Sequence, residues 1–430
     1  MKQFFVLIFM TLAFVCEAQI YIPEEVLELN DLLYKKKDTT LITGKVITHD
    51  GTGKIIIEEV NIREGIAEGM TKLWYENGKP QFETNIKNGQ PDGIGRMWYE
   101  NGQLEKEVNY KEGLQEGLYR EWYENGQLKV EGNFKNDKQD GLGKIWYENG
   151  NTQEEQVYIE GIQEGIMRKW YVNGQLQAEQ RFNEGKSEGL LSEWYENGQL
   201  RGEANYKEGK PEGISKVWFE NGQLEREVNF IEGEKYGLFR EWYDNGHQKI
   251  EQPFKKGKPD GLCKEWYDNG QLKQEVNIIQ GIQEGVFKEW HENGQLKAEQ
   301  LFKMGKPEGT SRFWFDNGVL SKEQFFEEGQ VKGINREWHD NGQLKQEVNI
   351  IKGSPEGLYR DWYENGQLER EALLINGQPE GLAKEYYENG QLMREGNYTD
   401  GKKNGIYTFY NEDGTVQKKE NWQKGVLKSD

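Results

Sequence analysis

The fourteen residues GLYREWYENGQLKV (Gly117–Val130) decide the fold, because close copies of this stretch recur along the chain, one of them as GLYRDWYENGQLER (Gly357–Arg370). The tryptophan of the stretch returns every 24 residues, at positions 74, 98, 122, 146, 170, 194, 218, 242, 266, 290, 314, 338 and 362, and Tyr386 and Tyr410 continue the series. We number each repeat from its first glycine. Fifteen repeats then span residues 69–428, after a degenerate unit at residues 44–68. A period of this length is typical of repeat architectures.

Glycines at fixed places predict the turns of each repeat. Positions 1 and 10 are Gly in all fifteen repeats, and position 21 is Gly in all but one, where Asp137 stands. Position 9 is Asn in fourteen repeats, and Asn-Gly is a strong hairpin signal. Each repeat therefore reads as strand, tight turn, strand, looser turn. The predicted fold class is all-β: an elongated antiparallel β-meander of about fifteen 24-residue β-hairpin repeats in a twisted single-layer sheet.

The pairing register is predicted from the segregation of apolar side chains. A three-residue Glu-Asn-Gly loop would pair position 6 with 12 and position 5 with 13. In the quoted repeat, one face would then hold Leu118, Trp122, Leu128 and Phe134, and the other Glu121, Tyr123, Lys129, Glu131 and Asn133. The same register predicts four cross-strand ion pairs: Glu121–Lys129, Glu265–Lys273, Glu289–Lys297 and Glu337–Lys345.

The N-terminus predicts export. Residues 1–18 combine the basic Lys2, an apolar run from Phe4 to Val15 and the small residue Ala18, which together are typical of a secretory signal peptide. No later run reaches the ~20 apolar residues of a membrane-spanning helix. We therefore expect a secreted or periplasmic protein with no transmembrane segment. The large residues before Cys16 argue against an outer-surface lipoprotein, and cleavage would leave Cys263 as the single cysteine.

The two ends of the array differ from its middle, as capping segments do. Residues 19–43 are predicted to form an N-terminal cap, in which PEEVLELNDLLYKK (23–36) is either helical or a first strand. The last repeat carries Tyr410, Asn411, Asp413 and Lys419 where other repeats have Trp, an aromatic residue, Asn and Glu. We expect this repeat to be a terminal cap unit.

Composition limits the classes of partner. The net charge of -20 disfavours nucleic acid, because an acidic surface repels phosphates. Only 34% of the residues are hydrophobic and 30% are charged, which is too polar for one deep core, although 13% are aromatic. This composition fits a thin, extended structure rather than a disordered one.

The unit G-x-x-x-x-W-Y-E-N-G-Q-L resembles the variant MORN (membrane occupation and recognition nexus) repeat over essentially the whole mature chain. The chain is also similar to bacterial proteins of the YwqK type, a group described as antitoxin components. The resemblance implies β-hairpin units in an elongated sheet that contacts other molecules. It also implies that the chain has no catalytic residues.

The sequence offers no convergent set of catalytic or metal-binding residues. His291 and His339 occupy the same place two repeats apart, about 19 Å at strand spacing, so they cannot share a zinc ion. Glu recurs at position 15 in fourteen repeats, but equivalent residues lie about 10 Å apart, too far to share Ca²⁺. We therefore predict a non-enzymatic protein without metal or cofactor.

Two columns of aromatic residues are the remaining candidates for a role. The candidate partner-binding stripe consists of Tyr123, Tyr147, Tyr195, Tyr243, Tyr267, Glu131 and Glu203. The alternative is that these rings only shield the backbone of a thin sheet. The predicted structural core consists of Trp98, Trp122, Trp146, Trp194 and Trp266. The leading hypothesis is an exported scaffold that binds a protein. An envelope glycan-binding module and an antitoxin of a toxin-antitoxin system are the alternatives.

Overall fold

The computed structural model describes residues 19–428, so the predicted signal peptide, residues 1–18, lies outside the described residues. The regular structure of the described chain is β-strand, apart from one 3-10 turn at Pro23–Glu25. Its contacts divide it into two compact units, residues 19–200 with 206–210, and residues 201–205 with 211–428. Within each unit, the strands of the repeats pair antiparallel in chain order, which confirms the predicted all-β meander of hairpin repeats.

The N-terminal segment forms strands, not a helix. Its strands are β1 (Ile20–Tyr21), β2 (Val26–Leu29) and β3 (Leu32–Lys35). Strands β2 and β3 form a hairpin whose turn residues Asn30 and Asp31 are both left-handed, with φ of 52° and 62°. Strand β1 pairs in parallel with β4, the first strand of the degenerate unit, and Tyr21, Ile42 and Ile62 form a buried cluster there. Of the two alternatives for residues 23–36, the strand is confirmed.

The strands follow the 24-residue period. Positions 1–6 form one strand, positions 12–19 the next, and positions 22–23 a short third strand that in some repeats merges into the following one. The remaining strands up to the unit boundary are β4 Gly44–His49, β5 Ile56–Arg63, β6 Ile66–Ala67, β7 Gly69–Trp74, β8 Pro80–Lys87, β9 Gln90–Pro91, β10 Gly93–Trp98, β11 Leu104–Lys111, β12 Leu114–Trp122, β13 Leu128–Lys135, β14 Lys138–Gln139, β15 Gly141–Trp146, β16 Thr152–Ile159, β17 Ile162–Trp170, β18 Leu176–Asn183, β19 Lys186–Trp194, β20 Leu200–Lys207 and β21 Lys210–Pro211.

The second unit continues the same pattern. Its strands are β22 Gly213–Trp218, β23 Leu224–Ile231, β24 Glu234–Lys235, β25 Gly237–Trp242, β26 Gln248–Lys255, β27 Lys258–Pro259, β28 Gly261–Trp266, β29 Leu272–Ile279, β30 Ile282–Gln283, β31 Gly285–Trp290, β32 Leu296–Lys303, β33 Lys306–Trp314, β34 Leu320–Glu327, β35 Gln330–Val331, β36 Gly333–Trp338, β37 Leu344–Ile351, β38 Ser354–Pro355, β39 Gly357–Trp362, β40 Leu368–Ile375, β41 Gln378–Tyr386, β42 Leu392–Thr399, β43 Lys402–Lys403, β44 Gly405–Tyr410, β45 Val416–Gln423 and β46 Val426–Leu427.

The predicted register is right at the loop and wrong beyond it. Trp122 pairs with Leu128, so position 6 faces position 12 as predicted. Glu121 pairs with Val130 rather than with Lys129, and the register shifts between these pairs. Lys129 is therefore the extra residue of a β-bulge, and position 5 faces position 14. The predicted pairing of position 5 with 13 is wrong for this reason.

The bulge exchanges the faces of the residues that follow it. Strand alternation and the observed pairs place positions 2, 4, 6, 12, 15 and 17 on one face, which we call the tryptophan face. Positions 3, 5, 14, 16 and 18 lie on the opposite face. Phe134 therefore lies on the face opposite to that of Trp122, whereas the predicted register puts the two on one face. Glu131 and Asn133 lie on the same face as Trp122, whereas the predicted register puts them on the other face. One inserted residue moves every later side chain of the strand to the other face of the sheet.

The two turns of each repeat are both tight. At the first turn, Gly126 is left-handed with φ of 86° and its amide donates to the Tyr123 carbonyl, as expected for the three-residue loop. At the second, Lys135 pairs with Lys138, which leaves Asn136 and Asp137 as a two-residue loop with φ of 49° and 63°. Two left-handed residues define a type I′ turn. The prediction of a looser second turn is therefore wrong.

The most buried side chains of the repeats lie at positions 3 and 16 of the opposite face. Val108, Val228 and Tyr407 are 5%, 7% and 3% exposed, whereas the five tryptophans of the predicted core are half-buried. In several repeats, a large side chain at one of these two positions is paired with a small residue at the other. Tyr119 at position 3, for example, pairs with Gly132 at position 16.

Candidate functional site

The tyrosine at position 7 bonds to the following repeat. The Tyr123 hydroxyl donates to the Trp146 carbonyl at 2.8 Å. Equivalent bonds of 2.6 to 2.9 Å are made by Tyr75, Tyr99, Tyr147, Tyr171, Tyr243, Tyr267, Tyr363 and Tyr387. Tyr195, the remaining tyrosine of the candidate stripe, also has an interaction partner. The hydroxyls of Tyr123, Tyr147, Tyr243 and Tyr267 in the stripe thus join consecutive repeats.

Two histidines make the same bond as the tyrosines they replace. The Nε2 atoms of His291 and His339 lie 3.0 and 2.8 Å from the carbonyl oxygens of Trp314 and Trp362. Both histidines therefore act as donors between repeats. This confirms that they are variants of the tyrosine place.

The hairpin tip is held by asparagine and carries an acidic side chain. Asn125 accepts a bond from the Gln127 amide at 2.8 Å and donates to the Glu148 carbonyl of the next repeat at 3.2 Å. The neighbouring position 8 is Asp or Glu in fourteen of the fifteen repeats, and each of these residues is exposed. We call positions 7 and 8 together the acidic edge.

Glu131 and Glu203 do not belong to the face of the tyrosine stripe. Glu131 lies on the tryptophan face and pairs with the Arg120 guanidinium at 2.8 Å, while its other neighbour across the strands is Lys144. Glu203, at the same position 15, lies opposite Lys216. In most repeats, positions 4 and 15 together form a ladder of alternating basic and acidic residues, which Ser192, Thr408 and Lys419 interrupt. The basic residues of position 4 and the acidic residues of position 15 are visible in the sequence. They pair with each other on this face only because the bulge shifts the register.

The tyrosine ring lies beside the ion pairs of positions 5 and 13. Lys129 bonds to Glu121 at 2.7 Å, and its Nζ lies 5.7 Å from the centre of the Tyr123 ring. Burial raises the pKa of Glu121, but bonds from Lys129 and Tyr119 outweigh it and hold the pKa below its ordinary value.

Three of the four predicted ion pairs are confirmed. Besides Glu121–Lys129, the pairs Glu265–Lys273 and Glu289–Lys297 lie at 2.5 and 2.6 Å. The fourth prediction is wrong, because Glu337 contacts Lys322 of the preceding repeat at 3.1 Å instead of Lys345.

The acidic residue at position 24 supports the type I′ turn of the next repeat. Glu116 accepts a bond from the Asn136 amide at 3.0 Å. The same bond links Glu68 to Asn88, Glu164 to Glu184, Glu188 to Glu208, Glu212 to Glu232, Glu284 to Met304, Glu308 to Glu328, Glu356 to Asn376 and Glu380 to Asp400. Position 24 thus has a structural role, which sequence reasoning missed.

The apolar residue at position 2 is exposed on the tryptophan face. Leu118 was predicted to pack with Trp122 in the core, but it is half-buried, and its equivalents are 38% to 54% exposed. They are Met70, Ile94, Leu142, Ile166, Leu190, Ile214, Leu238, Leu262, Val286, Ile334, Leu358, Leu382 and Ile406. This column was not recognised from the sequence, because the predicted register placed it among covered residues.

Comparison with known proteins agrees with this repeat geometry. The profile of the MORN repeat variant matches thirteen segments of the chain: 67–88, 91–112, 115–136, 163–184, 187–208, 211–232, 259–280, 283–304, 307–328, 331–352, 355–376, 379–400 and 403–424. The MORN repeat profile also matches residues 131–152. The chain belongs to the MORN repeat variant family. MORN repeats commonly form scaffolds that bind proteins or lipids, and such repeat proteins are generally not catalytic.

Solved structures give only remote matches to this MORN protein. The crystal structure of TcdB2-TccC3 is 10% identical over 91% of this chain and 28% of that chain, with a TM-score of 0.14. The Photorhabdus luminescens Tc holotoxin pore is 11% identical over 92% of this chain and 26% of that one, also with a TM-score of 0.14. The chain thus spans about a quarter of each of these proteins, and the match is too remote to indicate a shared fold or function. No curated protein matches the chain, so the similarity to YwqK-type antitoxins stays a prediction.

The described part of the MORN chain holds no arrangement suited to metal chemistry. Within residues 19–428, no three His, Cys, Asp or Glu side chains come together as a metal site would require. Cys263 is buried, and burial raises the pKa of its thiol, which disfavours the reactive thiolate. The same residues include no helix that is long and apolar enough to cross a membrane.

Proposed function

We propose that this MORN protein is an exported, non-enzymatic scaffold that binds a protein partner along its acidic edge. The observation that carries the proposal is the position 8 carboxylate, which is exposed in fourteen of fifteen repeats beside the ring of position 7. Equivalent residues lie two strands apart, about 9.6 Å at strand spacing. The edge therefore presents the same acidic and aromatic pair many times to one extended partner.

The neighbouring contacts indicate which partner chemistry suits this edge. Lysine ammonium groups of the chain itself lie 5.7, 5.6 and 5.9 Å from the ring centres of Tyr123, Tyr243 and Tyr267. Such rings attract cations, and the exposed carboxylates add Coulombic attraction. The tyrosine hydroxyls are already bonded, so the rings are held in place and lose little freedom on binding. The expected partner carries a row of Lys or Arg side chains.

Export rests on the signal peptide predicted at residues 1–18, and it would place the partner in the envelope or outside the cell. An envelope glycan and a toxin remain the alternative ligands. No particular contact in the structure favours either of them over a protein, so they enter as outcomes of the test.

The test is a pull-down from the native envelope extract with residues 19–430 as bait, with and without protease digestion of the extract. One variant removes four carboxylates of the acidic edge: Glu76→Gln, Glu100→Gln, Glu124→Gln and Glu148→Gln. The matched control removes four from position 20 of the opposite turns: Glu112→Gln, Glu160→Gln, Glu184→Gln and Glu208→Gln. Both variants change the net charge equally.

We expect mass spectrometry to identify a basic protein whose capture requires an undigested extract. The position 8 variant should lose this protein and the position 20 control should keep it. Equal loss of the captured protein with both variants would show that the attraction depends only on net charge, and it would contradict the proposal. Sugar-positive capture that survives the protease would favour the glycan module instead.

A further inference from the structure

The first unit exposes an apolar column on its tryptophan face. In repeats 69–200, Met70, Ile94, Leu142, Ile166 and Leu190 are 39% to 48% exposed at position 2, and the half-buried Leu118 occupies this position in the repeat between Ile94 and Leu142. At strand spacing, neighbours in the column lie about 9.6 Å apart. Single exposed apolar residues are ordinary, whereas a continuous row of them on one face is typical of an interaction surface.

The ladder beside this column carries no net charge. Its five basic and five acidic residues are Lys72, Arg96, Arg120, Lys144 and Arg168 with Glu83, Glu107, Glu131, Glu155 and Glu179. Arg96 contacts both neighbours, Glu83 at 3.3 Å and Glu107 at 2.9 Å. The whole chain has a net charge of -20, so a second copy would be repelled by most of the surface. The tryptophan face of the first unit departs from this overall acidity, because the basic and acidic residues of its ladder balance.

This face is complementary to itself under one symmetry operation. A two-fold axis parallel to the strands, midway between a basic and an acidic strand, sets each basic residue of one copy opposite an acidic residue of the other. The same axis sets position 2 opposite position 17 and position 6 opposite position 12 of the other copy. The two apolar columns then lie at the same level along the strands, offset by one strand, and so do the two rows of tryptophans. Two-fold contacts require such self-complementary surfaces, and sheets pack face to face at about 10 Å.

The pitch of the face selects the occupant. A partner must repeat an apolar group about every 9.6 Å and reverse its charge at every strand, about 4.8 Å apart. A second array with the same 24-residue period meets both conditions, and another copy of this chain supplies it. Positions 2, 4, 6, 12 and 15 of four or five repeats provide about 20 to 25 residues, the number that a standard interface uses on each side.

We propose that two copies of the chain associate through the tryptophan face of the first unit to form a symmetric homodimer. The ladder carboxylates already have basic neighbours within their own chain, so the contact buries no unpaired charge. The acidic edge takes no part in this contact, and the inference therefore goes beyond the proposed function.

Sedimentation velocity on purified residues 19–430 tests the proposal, over protein concentrations from about 0.1 to 50 μM. One variant carries Ile94→Asp and Ile166→Asp in the apolar column. The matched control carries Met97→Asp and Val172→Asp, which lie off the tryptophan face in the same unit and are 39% and 52% exposed. Both variants add two carboxylates, and far-UV circular dichroism checks that each is folded.

The wild type should sediment as a dimer at the higher concentrations. The dissociation constant should rise at least about tenfold in the column variant, as expected when two interface centres are disrupted, and stay within about twofold in the control. A wild type that is monomeric throughout, or an equal shift in both variants, would overturn the proposal. If the first variant is unfolded, Leu142→Asp with Leu190→Asp gives the same comparison. No partner is present, so failure of this test leaves the scaffold proposal untouched.

Discussion

Replacing Gly396 by alanine should destabilise the last two repeats, because the new Cβ would overlap the ring of Tyr407. Gly396 does not have a left-handed φ, so the backbone itself tolerates alanine. The Tyr407 ring cannot easily move aside. It is 3% exposed and packs edge-on against Tyr398 and Trp422, with ring centres 5.7 and 6.4 Å away.

The magnitude follows from two opposing effects. Forcing an extra methyl group into a packed site costs about 1–3 kcal/mol. Replacing glycine also removes flexibility from the unfolded chain, which offsets about 0.4–1 kcal/mol. The expected net loss is therefore between zero and about 2.6 kcal/mol, and the short distance to the fixed Tyr407 ring favours the upper part of this range. At Gly132, the same position of another repeat, the nearest atom to a new Cβ is Nε2 of Gln139 at 3.8 Å. Gly132→Ala should then be neutral or stabilising, so the two substitutions differ in sign.

Hydrogen exchange monitored by mass spectrometry is the suitable assay, because a repeat array opens locally rather than in one step. Gly396→Ala should speed exchange of amides in 392–428, and Gly132→Ala should not speed exchange in 128–135. Adding Tyr407→Ala to Gly396→Ala removes the overlap, so the double variant should lose less stability than the two single effects combined. Unchanged exchange in Gly396→Ala would refute the packing argument, as would simple additivity.

Three further predictions concern single contacts and one end of the array. Tyr123→Phe should lower local stability by about 0.5–1.5 kcal/mol in hydrogen exchange, and Phe315→Tyr should raise it by a similar amount, since each changes one bond between repeats. Burial and the adjacent Asp361 raise the pKa of Tyr359 to about 12. Because the unfolded chain releases this proton near pH 10, stability should fall between about pH 10 and 12, and the fall should be smaller in Tyr359→Phe, as urea midpoints at each pH would show. Deleting residues 405–430 should produce species larger than those of the full chain in light scattering, whereas unchanged size would contradict a capping role of the last repeat.

The sequence was sufficient for the hairpins and insufficient for their faces. Period, glycines and Asn-Gly fix where the chain turns, because few residues other than glycine adopt left-handed φ easily. The bulge at Lys129 left no such mark, because a lysine at this position is compatible with either register. Since one inserted residue reverses all later side chains, the error moved Glu131 and Phe134 to the wrong faces.

The tyrosine stripe shows a second limit of reading the sequence. Its recurrence was interpreted as a ligand surface or a shield for the backbone, whereas each hydroxyl bonds to the next repeat. A signal was present in the substitutions, since His291 and His339 keep a donor near the end of the ring. Phe219 and Phe315 keep only the ring, so the array tolerates the loss of single bonds.

The last repeat explains why the other fourteen recur so closely. Positions 7, 9, 15 and 24 bond to, or lie opposite, the repeat that follows, so most repeats with a successor keep side chains suited to these contacts. Phe219 and Phe315 at position 7 and Tyr236 and Lys332 at position 24 are exceptions within the array. The final repeat has Asn411, Asp413, Lys419 and Lys428 at these four positions. Asp413 lacks the amide donor of asparagine, and the two lysines replace acceptors by donors. Its outer edge is thus poorly suited to receive another repeat, and basic residues along an edge strand oppose pairing with other chains. Repetition within the array and departure from it at this end have the same physical cause.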